Sequence, residues 1–257
     1  MSNQNFRVVI PARYESSRLP GKVLCDLAGK PMVQWVWERA LDSAATDIVI
    51  ATDNEQVAEV ATTFGADVCM TSAGCQSGTD RVAEVCRARN WGNELPVVNV
   101  QGDAPLLPPA SIRKVAALLI DHADASMATL CVAIASEADY RDPNVVKVVF
   151  DDSGRANYFS RSPIPAQAHG GSALLAWQHA WRHLGLYAYR PAALQLLSAA
   201  VPCELEILER LEQLRALWLG MEIRIAVDEA AYGPDVDTPG DLERVAALLE
   251  QQDKTRT

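Results

Sequence analysis

Short β-branched and apolar runs alternate with stretches whose apolar residues recur three and four apart over the first hundred positions. Residues 7–10, Arg7-Val8-Val9-Ile10, read as a buried strand, and a polar loop runs from 11 to 22. Pro31 suits a helix start, and Met32, Val33, Val36 and Trp37 then share one helical face. A second strand over 47–51 ends in Thr52-Asp53-Asn54, whose side chains suit an N-cap. The pattern continues with a helix near 55–64, a strand at 67–70, a helix near 79–89 and a fourth strand at 96–100. Strands separated by helices in this way predict βαβ crossovers and a mainly parallel sheet flanked by helices. Ligands of such sheets sit beyond the carboxyl ends of the strands, which directs attention to loops 11–22, 52–54, 71–79 and 101–108.

The second half is less regular. Residues 145–150 and 184–189 have strand character, 204–219 reads as one long amphipathic helix, 222–227 as a strand and 240–249 as a closing helix. Residues 162–176 are rich in Pro, Gly, Ala and Ser and read as a loop or subdomain linker. Leu205, Leu208, Leu211, Leu214 and Leu217 have the spacing of a core or dimer-interface face, with Glu212 and Gln213 on another.

Charge changes this picture more than composition does. The net charge of −10 leaves nucleic acid poorly supported as a partner, so a small anion would need basic residues converging in one pocket. The six cysteines contain no Cys-x-x-Cys pair, which argues against structural zinc. No apolar stretch approaches the ~20 residues of a membrane span. The polar start, MSNQNF, does not resemble a signal peptide, so a soluble cytoplasmic protein with reduced thiols is expected.

The first loop carries Arg13, Arg18 and Lys22 within ten residues, as neutralising a triphosphate requires. It has neither Walker A spacing nor a Gly-x-Gly-x-x-Gly turn, and a solvated surface loop would account for the same charges. Ser77-Gly78-Thr79-Asp80 opens a helix, where free N–H groups bind either a ligand or an ordinary cap. Asp103 follows the fourth strand directly, well placed to hold Mg²⁺ against phosphate oxygens. Asp237 is a second candidate ligand, though Asp-Thr-Pro is also a common helix start. His179 and His183 lack the intervening glutamate of a zinc helix, and Trp177, Trp181 and Trp218 read as packing.

Taken in order, Val9-Ile10-Pro11-Ala12-Arg13-Tyr14, Ser17-Arg18-Leu19-Pro20-Gly21-Lys22, Ala51-Thr52-Asp53, Ser77-Gly78-Thr79-Asp80-Arg81 and Asn99-Val100-Gln101-Gly102-Asp103 resemble the 3-deoxy-manno-octulosonate cytidylyltransferase (CMP-Kdo synthetase) family. So do Tyr158-Phe159-Ser160-Arg161, His183-Leu184-Gly185-Leu186-Tyr187, Leu211-Glu212-Gln213-Leu214-Arg215 and Val236-Asp237-Thr238-Pro239. The resemblance implies an α/β nucleotidyltransferase fold, glycosyltransferase-A-like, with a mixed, mainly parallel sheet and a smaller sugar-binding and dimerisation part. It implies one domain over 1–257: a nucleotide half near 1–125, an acceptor and dimerisation part near 126–225, and a return to the core over 226–257. The implied reaction joins CMP from CTP to 3-deoxy-D-manno-octulosonate (Kdo), with Mg²⁺, in a cytoplasmic homodimer serving lipopolysaccharide synthesis.

Residue by residue, the resemblance places Ala12, Arg13, Arg18, Lys22, Thr71, Ser77, Gly78 and Gln101 at the nucleotide. Arg161, His183, Tyr187, Glu212, Gln213 and again Gln101 fall at the acidic sugar, and Asp103 and Asp237 at magnesium. Arg13, Lys22 and Asp103 would carry the chemistry. Three places depart from the family pattern: Ala104 stands where Glu is usual, Cys75 where His is common, and 166–176 lacks the usual Trp and charges. These departures keep open an acceptor such as 8-amino-Kdo. A related synthesiser using a nine-carbon acid or a sugar 1-phosphate, and a non-catalytic sugar-nucleotide-binding regulator, are the rival readings.

Overall fold

The computed structural model describes residues 5–15, 19–167, 174–230 and 232–256, with side chains as far as 251. The first half contains β1 (Arg7–Pro11), β2 (Asp26–Leu27), β3 (Lys30–Pro31), α1 (Met32–Asp42), β4 (Asp47–Thr52), α2 (Glu55–Thr63), β5 (Asp67–Met70), α3 (Gly78–Ala88) and β6 (Val97–Asn99). Then come α4 (Pro109–Asp121), β7 (Met127–Ala133), α5 (Glu137–Arg141), β8 (Lys147–Phe150), β9 (Ala156–Ser160) and β10 (Trp181–Tyr189). The chain closes with α6 (Pro191–Ala199), α7 (Glu204–Glu209), α8 (Gln213–Trp218), β11 (Ile223–Val227) and α9 (Pro239–Arg256).

The main sheet runs β11-β7-β10-β6-β1-β4-β5, with β8 and β9 branching from β10. The pairs β1–β4, β1–β6, β4–β5 and β11–β7 are parallel, while β10 lies antiparallel between β6 and β7. The parallel half matches the alternation read from the sequence. Period-two side-chain placement sends Val8, Ile10 and Ile50 to one face with Val33, Val36 and Ile112, and Val9 and Val49 to the other with Val82, Val85 and Leu194. Burying each large aliphatic side chain contributes roughly 1.5–3 kcal/mol. Further apolar contacts join Leu27, Met32, Trp35 and Leu106 to Val236, Val245 and Leu249, which seats α9 near the first loop.

Two parts of the second half differ from the pattern reading. Residues 204–219 form two short helices, because Arg210 adopts a left-handed conformation (φ 53°) and ends α7. Arg215 pairs with Glu206 across the break at 2.5 Å, and Leu208 is exposed while Leu211 and Leu214 are buried. The leucine spacing therefore reflects a corner, with only part of the row in the core. Between Asp103 and Val145, where the pattern assigned nothing, lie α4 and the central strand β7. The exposed His179 belongs to a 3₁₀ turn (Ala176–His179) and His183 to β10, so the two do not share a helical face. Part of the 162–176 stretch lies outside the described residues.

Candidate active site

Past the end of β6 the chain turns through Gln101, Gly102 and Asp103. A Cβ on Gly102 would lie 2.7 Å from the Pro11 carbonyl, so this position needs glycine for the turn to pack against the end of β1. That close approach brings Asp103 to Lys22. The Lys22 ammonium donates to Asp103 Oδ2 at 2.5 Å, to Asp237 Oδ1 at 3.2 Å and to the Val236 carbonyl at 3.3 Å. The Val236 N–H donates in turn to the Asp103 carbonyl at 3.0 Å, tying the two aspartate segments by backbone. Partial burial pulls the Lys22 amine down, but the two carboxylates more than offset it and hold the amine above its ordinary range.

Lys22 and Asp103 line a cavity of about 160 Å³ with Arg13, Ser77, Gly78 and Gln101. Ser77 caps α3 through a reciprocal box: its hydroxyl accepts from the Asp80 N–H at 3.1 Å, and Asp80 Oδ2 accepts from the Ser77 N–H at 3.1 Å. The cap reading applies, and the capped helix start also forms cavity wall. Ala12 and Thr71 are buried beside it and bonded to β4: the Ala12 N–H donates to the Ala51 carbonyl at 2.8 Å and the Thr71 hydroxyl to the Thr52 carbonyl at 3.1 Å. Arg81, almost wholly buried, donates to Thr71 and to Asp53 Oδ2 at 2.8 Å, bracing the ends of β4 and β5. Arg18 lies outside the described residues.

Gln101 also lines a second cavity of about 100 Å³ with Thr79, Asn99, Tyr187, Glu212 and Gln213. Glu212 sits where α7 and α8 meet and accepts from the Thr79 hydroxyl at 3.0 Å and the Ser77 hydroxyl at 3.5 Å. Burial pushes its carboxyl above the usual carboxylate range. The Tyr187 hydroxyl is buried with no hydrogen-bond partner among the described residues. An orphaned buried hydroxyl in a polar cavity calls for a polar partner, an ordered water or a ligand.

A third cavity of about 120 Å³ shares Gln101 and takes His183, Ala104, Arg182, Tyr232 and Asp235. His183 is buried with Nε2 3.1 Å from Thr129 Oγ1 and its ring edge-on to Phe159. Burial, helped by the neighbouring Arg182 charge, pushes the imidazole down to about 3, so it is neutral at physiological pH. Arg161 lines none of the three cavities. Its guanidinium donates to the carbonyls of Glu209 at 2.6 Å, Pro143 at 2.9 Å and Arg210 at 3.4 Å, holding the α7 corner against β9.

A family model described as cytidylyltransferase matches residues 7–223. A 3-deoxy-manno-octulosonate cytidylyltransferase of Vibrio vulnificus (strain CMCP6) is 49% identical over 247 residues, covering 95% of this chain and 98% of the relative. One from Thioalkalivibrio sulfidiphilus (strain HL-EbGR7) is 49% identical over 247 residues, 95% of this chain and 99% of the relative. The chain belongs to the 3-deoxy-manno-octulosonate cytidylyltransferase family. A solved CMP:2-keto-3-deoxy-manno-octonic acid synthetase in complex with CTP superposes on this cytidylyltransferase with a TM-score of 0.88 at 42% identity, over 96% of this chain and 99% of that one. A cytidylyltransferase from Leptospira borgpetersenii serovar Hardjo-bovis (strain JB197) shares the fold, with a TM-score of 0.62 at 14% identity over 96% of this chain and 87% of that one.

Sequence reasoning gave no role to several residues that line these cavities. Asn99 was available as a buried amide at a strand end, Thr79 as a hydroxyl beside the cap, and Asp235 as a carboxylate two residues before Asp237. Tyr189 and Arg182 carry no such local sign; only the place of β10 in the sheet puts them there.

Proposed function

We propose that this cytidylyltransferase transfers CMP from CTP to 3-deoxy-D-manno-octulosonate, giving CMP-Kdo and pyrophosphate for lipopolysaccharide synthesis. The observation that carries the reading is the orphaned Tyr187 hydroxyl in a polar cavity that shares Gln101 with the Lys22–Asp103 cavity. Two substrates held in these neighbouring cavities would meet at Gln101. The bond changes are then simple. The anomeric hydroxyl oxygen of the acceptor forms a bond to the α-phosphorus of CTP, the bond from that phosphorus to the β-phosphate oxygen breaks, and the hydroxyl proton passes to solvent.

Catalysis of such a transfer is positioning and charge stabilisation. Arg13 and Lys22 supply cations to the triphosphate, and Gln101 supplies an amide where the substrates join. Ser77 and Gly78 let the nucleotide approach the helix start closely. Tyr187, Glu212 and Gln213 offer the acceptor hydrogen-bonding groups, with His183 held neutral on the adjoining wall. Arg161 supports this part through the α7 corner.

Magnesium fits the residues present. Asp103 and Asp237 converge on a single nitrogen, and Mg²⁺ typically takes one or two carboxylates and completes its shell with phosphate and water. Among the described residues no group of three or more His, Cys, Asp or Glu side chains is arranged to hold a metal, so a tighter all-protein cage is not offered. When bound, the ion would supply positive charge to the phosphate oxygens. A homodimer and cytoplasmic residence complete the reading on the strength of the family resemblance. Among the described residues no helix is long and apolar enough to cross a membrane.

The test is pyrophosphate release from CTP and Mg²⁺ with Kdo. Rapid release that Asp103→Ala abolishes is expected. CTP binding without release would overturn the acceptor assignment and favour a regulator.

A further inference from the structure

Asn99 interrupts an apolar face of the sheet. Period-two placement puts its side chain on the face of β6 that carries Val97, and the register sets it beside Val9 on β1 and opposite Tyr187 on β10. It is 2% exposed, and an amide buried this far is costly unless it is bonded. Among the described residues its side chain makes one hydrogen bond: Oδ1 accepts from Gln101 Nε2 at 3.2 Å.

Gln101 lies two residues on, past the end of the strand, and lines all three cavities. Its amide runs alongside the start of α3, where a Cβ on Gly78 would stand 3.4 Å from both Nε2 and Oε1. With the nitrogen bonded to Asn99, the oxygen is the open end, since Oε1 accepts from no group among the described residues. The opposite pairing, Asn99 Nδ2 donating to Gln101 Oε1, would leave the Asn99 oxygen in the cavity that holds the Glu212 carboxylate, acceptor beside acceptor. The observed pairing leaves a donor there instead. That difference sets the direction of both amides.

We propose that Asn99 is a positioning residue for the transfer: by holding Gln101 Nε2 it turns the Gln101 oxygen to the junction of the cavities, where that oxygen accepts a hydrogen bond from the attacking hydroxyl. The proposal rests on the reading given above, in which the two substrates meet at Gln101. Asn99 itself touches neither reacting atom. Its contribution is preorganisation, because an amide free to turn over presents its donor end to the hydroxyl for part of the time.

The experiment is steady-state pyrophosphate release with CTP, Mg²⁺ and Kdo for the native protein, Gln101→Ala, Asn99→Leu and the double variant. Silence of the native protein with Kdo, or a native rate in Gln101→Ala, would fail the underlying reading and this proposal with it. Given native activity and a slowed Gln101→Ala, Asn99→Leu is expected to lower kcat about tenfold, as for loss of one hydrogen bond. The KM for CTP and for Kdo should each stay within about threefold, which also reports an intact fold. The double variant should be no slower than Gln101→Ala, because a residue acting only through Gln101 has nothing left to position. Asn99→Ala, which removes the amide without adding an apolar branch, is measured in the same way if Asn99→Leu does not fold. A native kcat in the Asn99 variant would overturn the proposal alone. So would a raised KM at unchanged kcat, or losses that multiply in the double variant, which would show Asn99 acting by a route other than Gln101.

Discussion

At the wall proposed for the nucleotide, Lys22 and Asp103 stand on loops that leave neighbouring parallel strands, and a single ammonium gathers both expected metal carboxylates. At the wall proposed for the acceptor, Tyr187, His183, Glu212 and Gln213 come from an antiparallel strand and a helix corner, and they are mostly buried. The first wall works by concentrated charge near solvent. The second works by polar groups whose water has been removed, so that each is neutral, bonded to a neighbour, or left waiting for a ligand. The difference leads to the expectation that charge sets the rate on one side, whereas on the other the solvation of individual groups sets affinity and acid tolerance.

The sharpest break is expected at Lys22. Lys22→Met should lower kcat by roughly 10²–10³, the range for loss of one preorganised charge-stabilising donor. The apo protein should also lose stability, because Asp103 and Asp237 then face each other without their shared cation. Pyrophosphate release and thermal melting with and without Mg²⁺ read the two effects. Metal should return more stability to the variant than it adds to the native protein. A variant of native rate would end the assignment of charge stabilisation to this wall.

The acceptor wall is tested next through His183. An unfolded imidazole binds its proton below about 6.5, whereas in the fold His183 does so only near about 3. The folded state therefore binds fewer protons between these values. Stability from the neutral ring is fully present above pH 6.5 and is lost as pH falls towards 3. By pH 5 the loss should reach about 2 kcal/mol. Urea unfolding at pH 7.5 and pH 5 measures it, and His183→Gln should flatten the slope whatever its absolute stability. An unaltered slope would show that other groups carry the acid sensitivity.

The two walls also differ in how far they were legible from sequence. Arg13 and Asp103 could be read because each lies within a few residues of a strand end, and strand ends are set by a pattern that short range reveals, whereas Lys22 was read from the loop's cluster of cations and Gln101 from the resemblance. Ser77 was legible as a cap, which it is, and its site role came from the resemblance; the fold puts the capped residue on the cavity wall. Arg182 and Tyr189 were not legible, since their places on the third and second cavities depend on β10 inserting antiparallel between β6 and β7 with a register shift between Leu184 and Tyr187. The break at Arg210 escaped for a related reason. Leucines three apart fit a continuous helix, and nothing local announces that an arginine will take a left-handed backbone to bring Glu212 to Thr79.

Glu212 sharpens the comparison at a smaller scale. Its folded carboxyl lies above the usual range through burial, so the folded state binds more protons and the charged form costs stability. That stability is greatest below the ordinary carboxylate range and is lost as pH rises through the raised value. Glu212→Gln should then melt higher than the native protein near pH 7.5, with the gain shrinking as pH falls through the carboxylate range. It should raise the KM for Kdo up to about tenfold through loss of a charged acceptor. Higher stability with weaker acceptor binding is the signature of a desolvated binding group, and a fall in stability at pH 7.5 would contradict it.

Cys75 marks the mildest contrast, a neutral group on the charged wall. Its thiol lies 3.1 Å from Glu84 Oε2, and burial together with that carboxylate pushes the thiol up to about 11. It is protonated at neutral pH and, by this reasoning, slow towards alkylating reagents, since the thiolate is the nucleophile. Cys75→Ser keeps a donor for Glu84 and should change the KM for CTP by less than about threefold. Glu84→Gln removes the nearby negative charge, lowers the thiol pKa and should speed iodoacetamide labelling at pH 8, followed by mass spectrometry of the 75-containing peptide. Labelling in the native protein as fast as that of a free thiol would show that Cys75 is not held by Glu84. The nucleotide wall would then contain a reactive group that the geometry does not provide.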